Sequence, residues 1–164
     1  MNARKFSADL QFIFIAVLIL RLFFAYEWLN SGIGKLQNII MNPDSYFAQF
    51  QNIFANVWTK NNPYEFMIYF LKNFAAPNAK LVIESVAIGE ALVGISLLLG
   101  FLVRPASIIG MILNAIYFLA AGHTSPSTAG INFIMFGGGM FIFLVSAGRA
   151  YGIDAIIHKK FHYI

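Results

Sequence analysis

The chain contains no cysteine, which excludes disulfides, thiolate metal sites, iron–sulfur ligation and a cysteine-borne sulfur carrier on this polypeptide. Charge is nearly as scarce. Only 11% of the 164 residues are Asp, Glu, Lys or Arg, against about 25% in an ordinary soluble domain. Between Pro105 and Gly148 there is none. So few charges cannot cover a water-facing surface, and a soluble domain is excluded. The net charge of +4 comes from basic residues scattered singly or in pairs, which is no nucleic-acid footprint. Of the three histidines, His123 falls in a loop and His158 and His162 in the C-terminal tail. None lies inside a helix, where a haem-b ligand would be needed. The tail pair has i, i+4 spacing but reads as a headgroup contact, and no metal is expected.

What is abundant is apolar: 59% of the residues are hydrophobic and 16% aromatic. They gather into four spans at about 10–34, 81–103, 105–121 and 129–147, near the length that crosses a hydrocarbon core of ~30 Å. Arg4 and Lys5 before the first apolar run resemble a signal peptide, but the run continues past Arg21 without a small-residue cleavage site and is read as a retained helix. The expected fold is all-α, an integral membrane four-helix bundle forming one transmembrane domain over 1–164. An outer loop at about 35–80 is expected to hold two short amphipathic helices. The first places Tyr46, Phe47, Phe50, Ile53, Phe54, Val57 and Trp58 on one face after Asp44 or Ser45. The second starts around Asn62, Pro63 and Glu65 and stops before Pro77. Four spans put both termini on one side. Arg4, Lys5, Arg104, Arg149, Lys159 and Lys160 fall there, against Lys35, Lys60, Lys72 and Lys80 opposite. The bias predicts a multi-pass cell-membrane protein with both termini cytoplasmic.

Four ionisable residues lie inside apolar spans: Arg21 and Glu27 in the first, Glu84 and Glu90 in the second. Each costs roughly 2.5–3.5 kcal/mol near a bilayer centre, so such groups face a bundle interior, pair, or line a path for substrate or protons. Counted from the expected span ends, Arg21 and Glu90 share one depth, which predicts a salt bridge between them. Such a pair can fix helix register or belong to a polar cavity. Asn114 and Asn132 add polar groups to the remaining helices, as interhelical hydrogen bonders or as site residues. Trp28 and Tyr26 offer flat surfaces or interface anchors. Gly137, Gly138 and Gly139 permit close helix approach.

These positions together resemble a known family. Arg21-Leu22, Gly32 and Lys35-Leu36 in the first helix are similar to the Arg-Leu…Gly-x-x-Lys-Leu of DoxX-like membrane proteins. Glu90, Gly100 and Arg104 follow that family's Glu…Gly…Arg, and Gly130-x-Asn132, Gly148-Arg149 and Asp154 its final segment. The Arg149-to-Asp154 spacing, one residue longer than the common form, resembles the DoxD branch. The resemblance covers helices one, two and four. It implies the membrane subunit of a thiosulfate:quinone oxidoreductase, passing electrons to a quinone as thiosulfate becomes tetrathionate. It further implies a second oxidoreductase subunit, or a terminal oxidase complex, as partner besides the lipid bilayer. On that reading Arg21, Glu27, Trp28, Glu90 and Asn132 line a quinone site, and Glu90 and Glu27 relay protons. Lys35, Lys80 and His123 would attract the thiosulfate dianion. A non-catalytic accessory or assembly subunit of a respiratory complex, and a small transporter or proton-conducting protein, are the competing classes.

Overall fold

A computed structural model describes residues 3–161; His162 of the tail pair lies outside them. Every element among the described residues is helical. The long helices are α1 (Ala3–Met41), α4 (Ala79–Leu99), α5 (Val103–Ala121) and α6 (Pro126–Leu144). The short ones are α2 (Pro43–Asn52), α3 (Glu65–Phe70) and α7 (Ile153–Phe161). Four segments, Gln11–Met41, Ala79–Leu99, Val103–Thr124 and Pro126–Leu144, are long and apolar enough to cross a membrane. The protein is an all-α, multi-pass membrane bundle.

Local chemistry explains the helix ends. α1 runs on past Gly34 because no breaker stands before Asn42-Pro43, where the proline ring drives Asn42 out of helical backbone (φ −142°). α4 stops at Gly100, whose left-handed φ of 65° suits glycine alone without strain. α6 begins at Pro126, earlier than expected, with the Ser125 hydroxyl accepting from Thr128 N at 3.1 Å. It ends at Leu144, before 147, because Ser146 turns left-handed and a short 3-10 turn, Ala147–Arg149, follows.

α1 packs chiefly on α4 and α5 on α6, and α4 and α5 join the two pairs. Small residues set the α1–α4 approach. A Cβ on Gly32 would sit 2.5 Å from Ala91 N, and one on Gly94 2.7 Å from Leu29 N, so two backbones meet where side chains are missing. This fixes an antiparallel register in which Gly32 lies opposite Ala91, Leu29 opposite Gly94, and Arg21 opposite Gly100. Gly138 and Gly139 also serve close packing, against Phe24 and Met111, whereas Gly137 faces open space.

The chain between α1 and α4 folds over one end of the bundle. Phe54, Met67, Leu71 and Ala75 form a buried cluster with Ile83 of α4 and Ala120 of α5, flanked by Tyr46, Phe47, Phe50, Ile53 and Trp58. One residue of the expected stripe leaves it: Val57 is 46% exposed. A π turn at Ile53–Val57, closed by Trp58 N donating to Ile53 O at 2.8 Å, inserts an extra residue and rotates Val57 outward. Asn62 pins this cap. Its Nδ2 lies 3.0–3.1 Å from the carbonyls of Trp58, Leu119 and Ala120, and its Oδ1 accepts from Tyr64 N.

Candidate functional site

Glu90 occupies the middle of α4 and is 1% exposed. Both its oxygens are engaged. Lys35 Nζ lies 2.7 Å from Oε2, and Tyr117 donates to Oε1 at 2.6 Å. Lys35 also donates to Ser31 Oγ, one turn back on α1, at 2.6 Å. Three helices thus converge on one carboxylate. A lone ion at this depth is very costly, and a close cation with two hydrogen bonds offsets much of that cost. From the cap, the Tyr46 phenol is pushed above its ordinary pKa, first by burial and then by the negative charge of Glu90.

Arg21 does not pair with Glu90. Its Nη1 donates to the carbonyls of Ala147 and Ala150, both at 2.8 Å, in the α6–α7 link. The expected depths failed because α1 continues to Met41. The true register sets Arg21 beside Gly100, ten residues from Glu90 on α4, about 15 Å away, while Lys35 takes the place assigned to Arg21. Around Arg21, Asp154 receives Leu102 N at 3.0 Å and Val103 N at 3.1 Å, capping α5 from a distant helix. Asp154 N donates back to Gly100 O at 2.9 Å. Arg21, Gly100, Gly148 and Asp154 therefore knot the opposite end of the bundle together. A Cβ on Gly148 would collide with the Asp154 carboxylate, and one on Gly100 would sit 2.5 Å from Gly152 Cα.

Beside Glu90 a cleft of about 150 Å³ opens between α1, α4, α5 and α6. It gathers Glu27, Trp28, Glu90 and Asn132, four of the five residues expected at a common site, with Ser31, Asn114 and Tyr117 added. Arg21 is absent from it. Glu27 is half-buried. Asn114 and Asn132 each give one amide hydrogen to the carbonyl four residues back, at 3.0 and 2.8 Å, leaving the other amide hydrogen and the oxygen for the cleft. Trp28 is 5% exposed and packs its indole on Gly110, whose Cβ would come within 3.1 Å of the ring. Tyr26 instead faces outward, 64% exposed. On the other side of Tyr117 lies a smaller apolar chamber of about 70 Å³, walled by Phe54, Trp58, Leu71, Ile83 and Lys35. Among the described residues no three His, Asp or Glu side chains converge as metal ligands.

The three residues expected to draw an anion are scattered. Lys35 is neutralised by Glu90, Lys80 lies 5.9 Å over the Phe47 ring, and His123 Nε2 contacts Lys60 O at 3.0 Å. Tyr117 was not expected in the site. Its signal was present, because Tyr117 lies three residues after Asn114 and shares its helix face.

The arrangement of Arg21, Gly32, Lys35, Glu90, Gly100 and Asp154 at the two polar centres accompanies a family match over residues 16–164, to the TQO small subunit DoxD. The chain belongs to the DoxD family. No curated protein and no solved structure matches it. The family residues divide between two tasks in this fold. Lys35 and Glu90 build the central ion pair, and Arg21, Gly100, Gly148 and Asp154 build the distal knot.

Proposed function

We propose that this DoxD protein is the quinone-reducing membrane subunit of a thiosulfate:quinone oxidoreductase, lying in the plasma membrane with both termini cytoplasmic. The observation that carries the reading is the intramembrane cleft, where amides, a phenol, two carboxylates and an indole converge on one small volume. The family description supplies the substrate pair. The reaction balances when two thiosulfates lose one electron each and join through a new S–S bond to give tetrathionate.

A quinone supplies a two-electron, two-proton acceptor. The donor set fits it, since its carbonyls need hydrogen-bond donors and its ring needs apolar walls. Asn114, Asn132 and Tyr117 offer the donors, and Trp28 a flat flank. Glu27, half-buried in the same cleft, is placed to deliver one proton. Tyr117 can pass another, because its hydroxyl lies 2.6 Å from Glu90 and the Lys35 ammonium, 2.7 Å from the same carboxylate, carries the proton that replaces it through Glu90. The scattering of Lys80 and His123 favours a thiosulfate site on a partner subunit, with electrons entering this chain.

The test is thiosulfate-dependent quinone reduction by the assembled complex. Glu90→Gln and Tyr117→Phe should each lower kcat by about 10²-fold, the scale of a lost general acid. Trp28→Ala should chiefly raise KM. Unchanged kcat in both of the first two variants would remove the cleft from the chemistry. A second reading, a non-catalytic accessory subunit, draws support from the full mutual satisfaction of Lys35, Glu90 and Tyr117. It predicts that Glu90→Gln weakens assembly while leaving turnover per assembled complex intact.

A further inference from the structure

Among the described residues, the distal end of the bundle holds exposed cations without carboxylate partners. Arg104, Arg149 and Lys159 are exposed, and the one ion pair among the described residues joins Lys35 to Glu90. Asp154, the carboxylate nearest by sequence to Arg149 and Lys159, has both oxygens on the backbone N–H groups of Leu102 and Val103. Arg149 lines two grooves. One, of about 430 Å³, also holds Arg104 and His158. The other, of about 660 Å³, sets Arg149 and Lys159 over Phe14, Leu99, Ile153 and Ile156.

The depth of this second groove follows from the α1–α4 register. Arg21 stands opposite Gly100, where α4 ends, so the residues of α1 before Arg21 project beyond α4. Ten residues there reach about 15 Å. Phe12 is 74% exposed and Ile19 62%, which water would not tolerate across so continuous an apolar surface. The overhang therefore needs hydrocarbon around it, and the groove beside Phe14 shares those apolar surroundings.

We propose that this groove binds an acidic phospholipid, its phosphate between Arg149 and Lys159 and an acyl chain along Phe14, Leu99 and Ile156. The two cations match an anionic headgroup, the apolar wall matches a chain, and neither half alone accounts for the other. Arg104 stacks 5.6 Å from the Phe143 ring and lines the other groove, so it lies outside this contact.

The experiment is native mass spectrometry of the full chain, purified in neutral detergent and titrated with phosphatidylglycerol, with phosphatidylcholine of the same chains, and with inorganic phosphate. Phosphatidylglycerol should remain bound at concentrations where the other two do not. Arg149→Gln and Lys159→Gln should each weaken it about fivefold, the loss expected for one surface cation beside an anionic headgroup. Arg104→Gln should leave it unchanged. Equal retention of phosphatidylcholine would show a chain-only groove, and equal retention of phosphate a free-anion site. Either result overturns the proposal, as does unaltered affinity in both groove variants. The exposed side chains of Arg149 and Lys159 keep these variants folded, which the retained mass of the intact, monodisperse species checks.

Discussion

Lys35 and Glu90 form a pair whose worth lies in neither residue alone. With Glu90 1% exposed, removing Lys35 strands a carboxylate where water cannot reach it. Lys35→Ala should therefore cost about 3–5 kcal/mol. Replacing both by apolar residues of similar volume, Lys35→Met with Glu90→Leu, removes the desolvation penalty along with the attraction. The double variant should be less destabilised than Lys35→Ala, even with the Tyr117 hydroxyl left without its acceptor. Denaturant unfolding in micelles measures the cycle, and additive losses would mean that the two charges do not depend on each other. Sequence reading identified Glu90 as buried and in need of a cation, because charge inside an apolar span has few fates. The identity of that cation is not legible, because depth counted from span ends depends on where α1 stops, and Asn42-Pro43 rather than Gly34 is its first true breaker.

At the scale of elements, the ends of helices are held by distant partners. α5 starts at Val103 without a local capping side chain, and Asp154 from α7 receives the two N–H groups that a neighbouring serine would otherwise satisfy. Asp154→Ala should therefore cost about 1–2 kcal/mol, at the upper end for a lost cap. It should also loosen α7, since the same residue ties that helix to the α4–α5 turn. Hydrogen exchange of the Leu102 and Val103 amides measures it: protection should fall there and not at Glu90. Hydropathy made the four long helices legible, and period made the stripe from Tyr46 to Trp58 legible. The π turns at Ile53–Val57 and Leu71–Ala75 were not, because an i to i+5 bond leaves no residue signature. Nor was the Asp154 cap, since its donors stand about fifty residues away and nothing local marks them.

For the whole molecule, the cap of α2 and α3 and the knot around Arg21 define opposite ends. The positive residues of the knot end, Arg104, Arg149 and Lys159, belong with the cytoplasm under the orientation proposed above. Single cysteines at Lys60 and Lys159, easily read because the chain has none of its own, should label from opposite faces of sealed vesicles. Labelling from one face would refute that topology. Glu27, Trp28, Glu90 and Asn132 meet in one cleft because all four lie on helices whose apolar length fixes their neighbourhood. Arg21 was misplaced for want of the register, which only the Gly32 and Gly94 contacts reveal.

That register makes α1 a ruler. Arg21 and Lys35 stand fourteen residues apart on one unbroken helix, about 21 Å along its axis, and each is clasped at its own level by groups from other helices. A sliding motion of α1 would have to release both clasps together. The spacing between the distal knot and the central carboxylate is thereby written into a single rigid part, and any movement the protein makes must come from the helices around it.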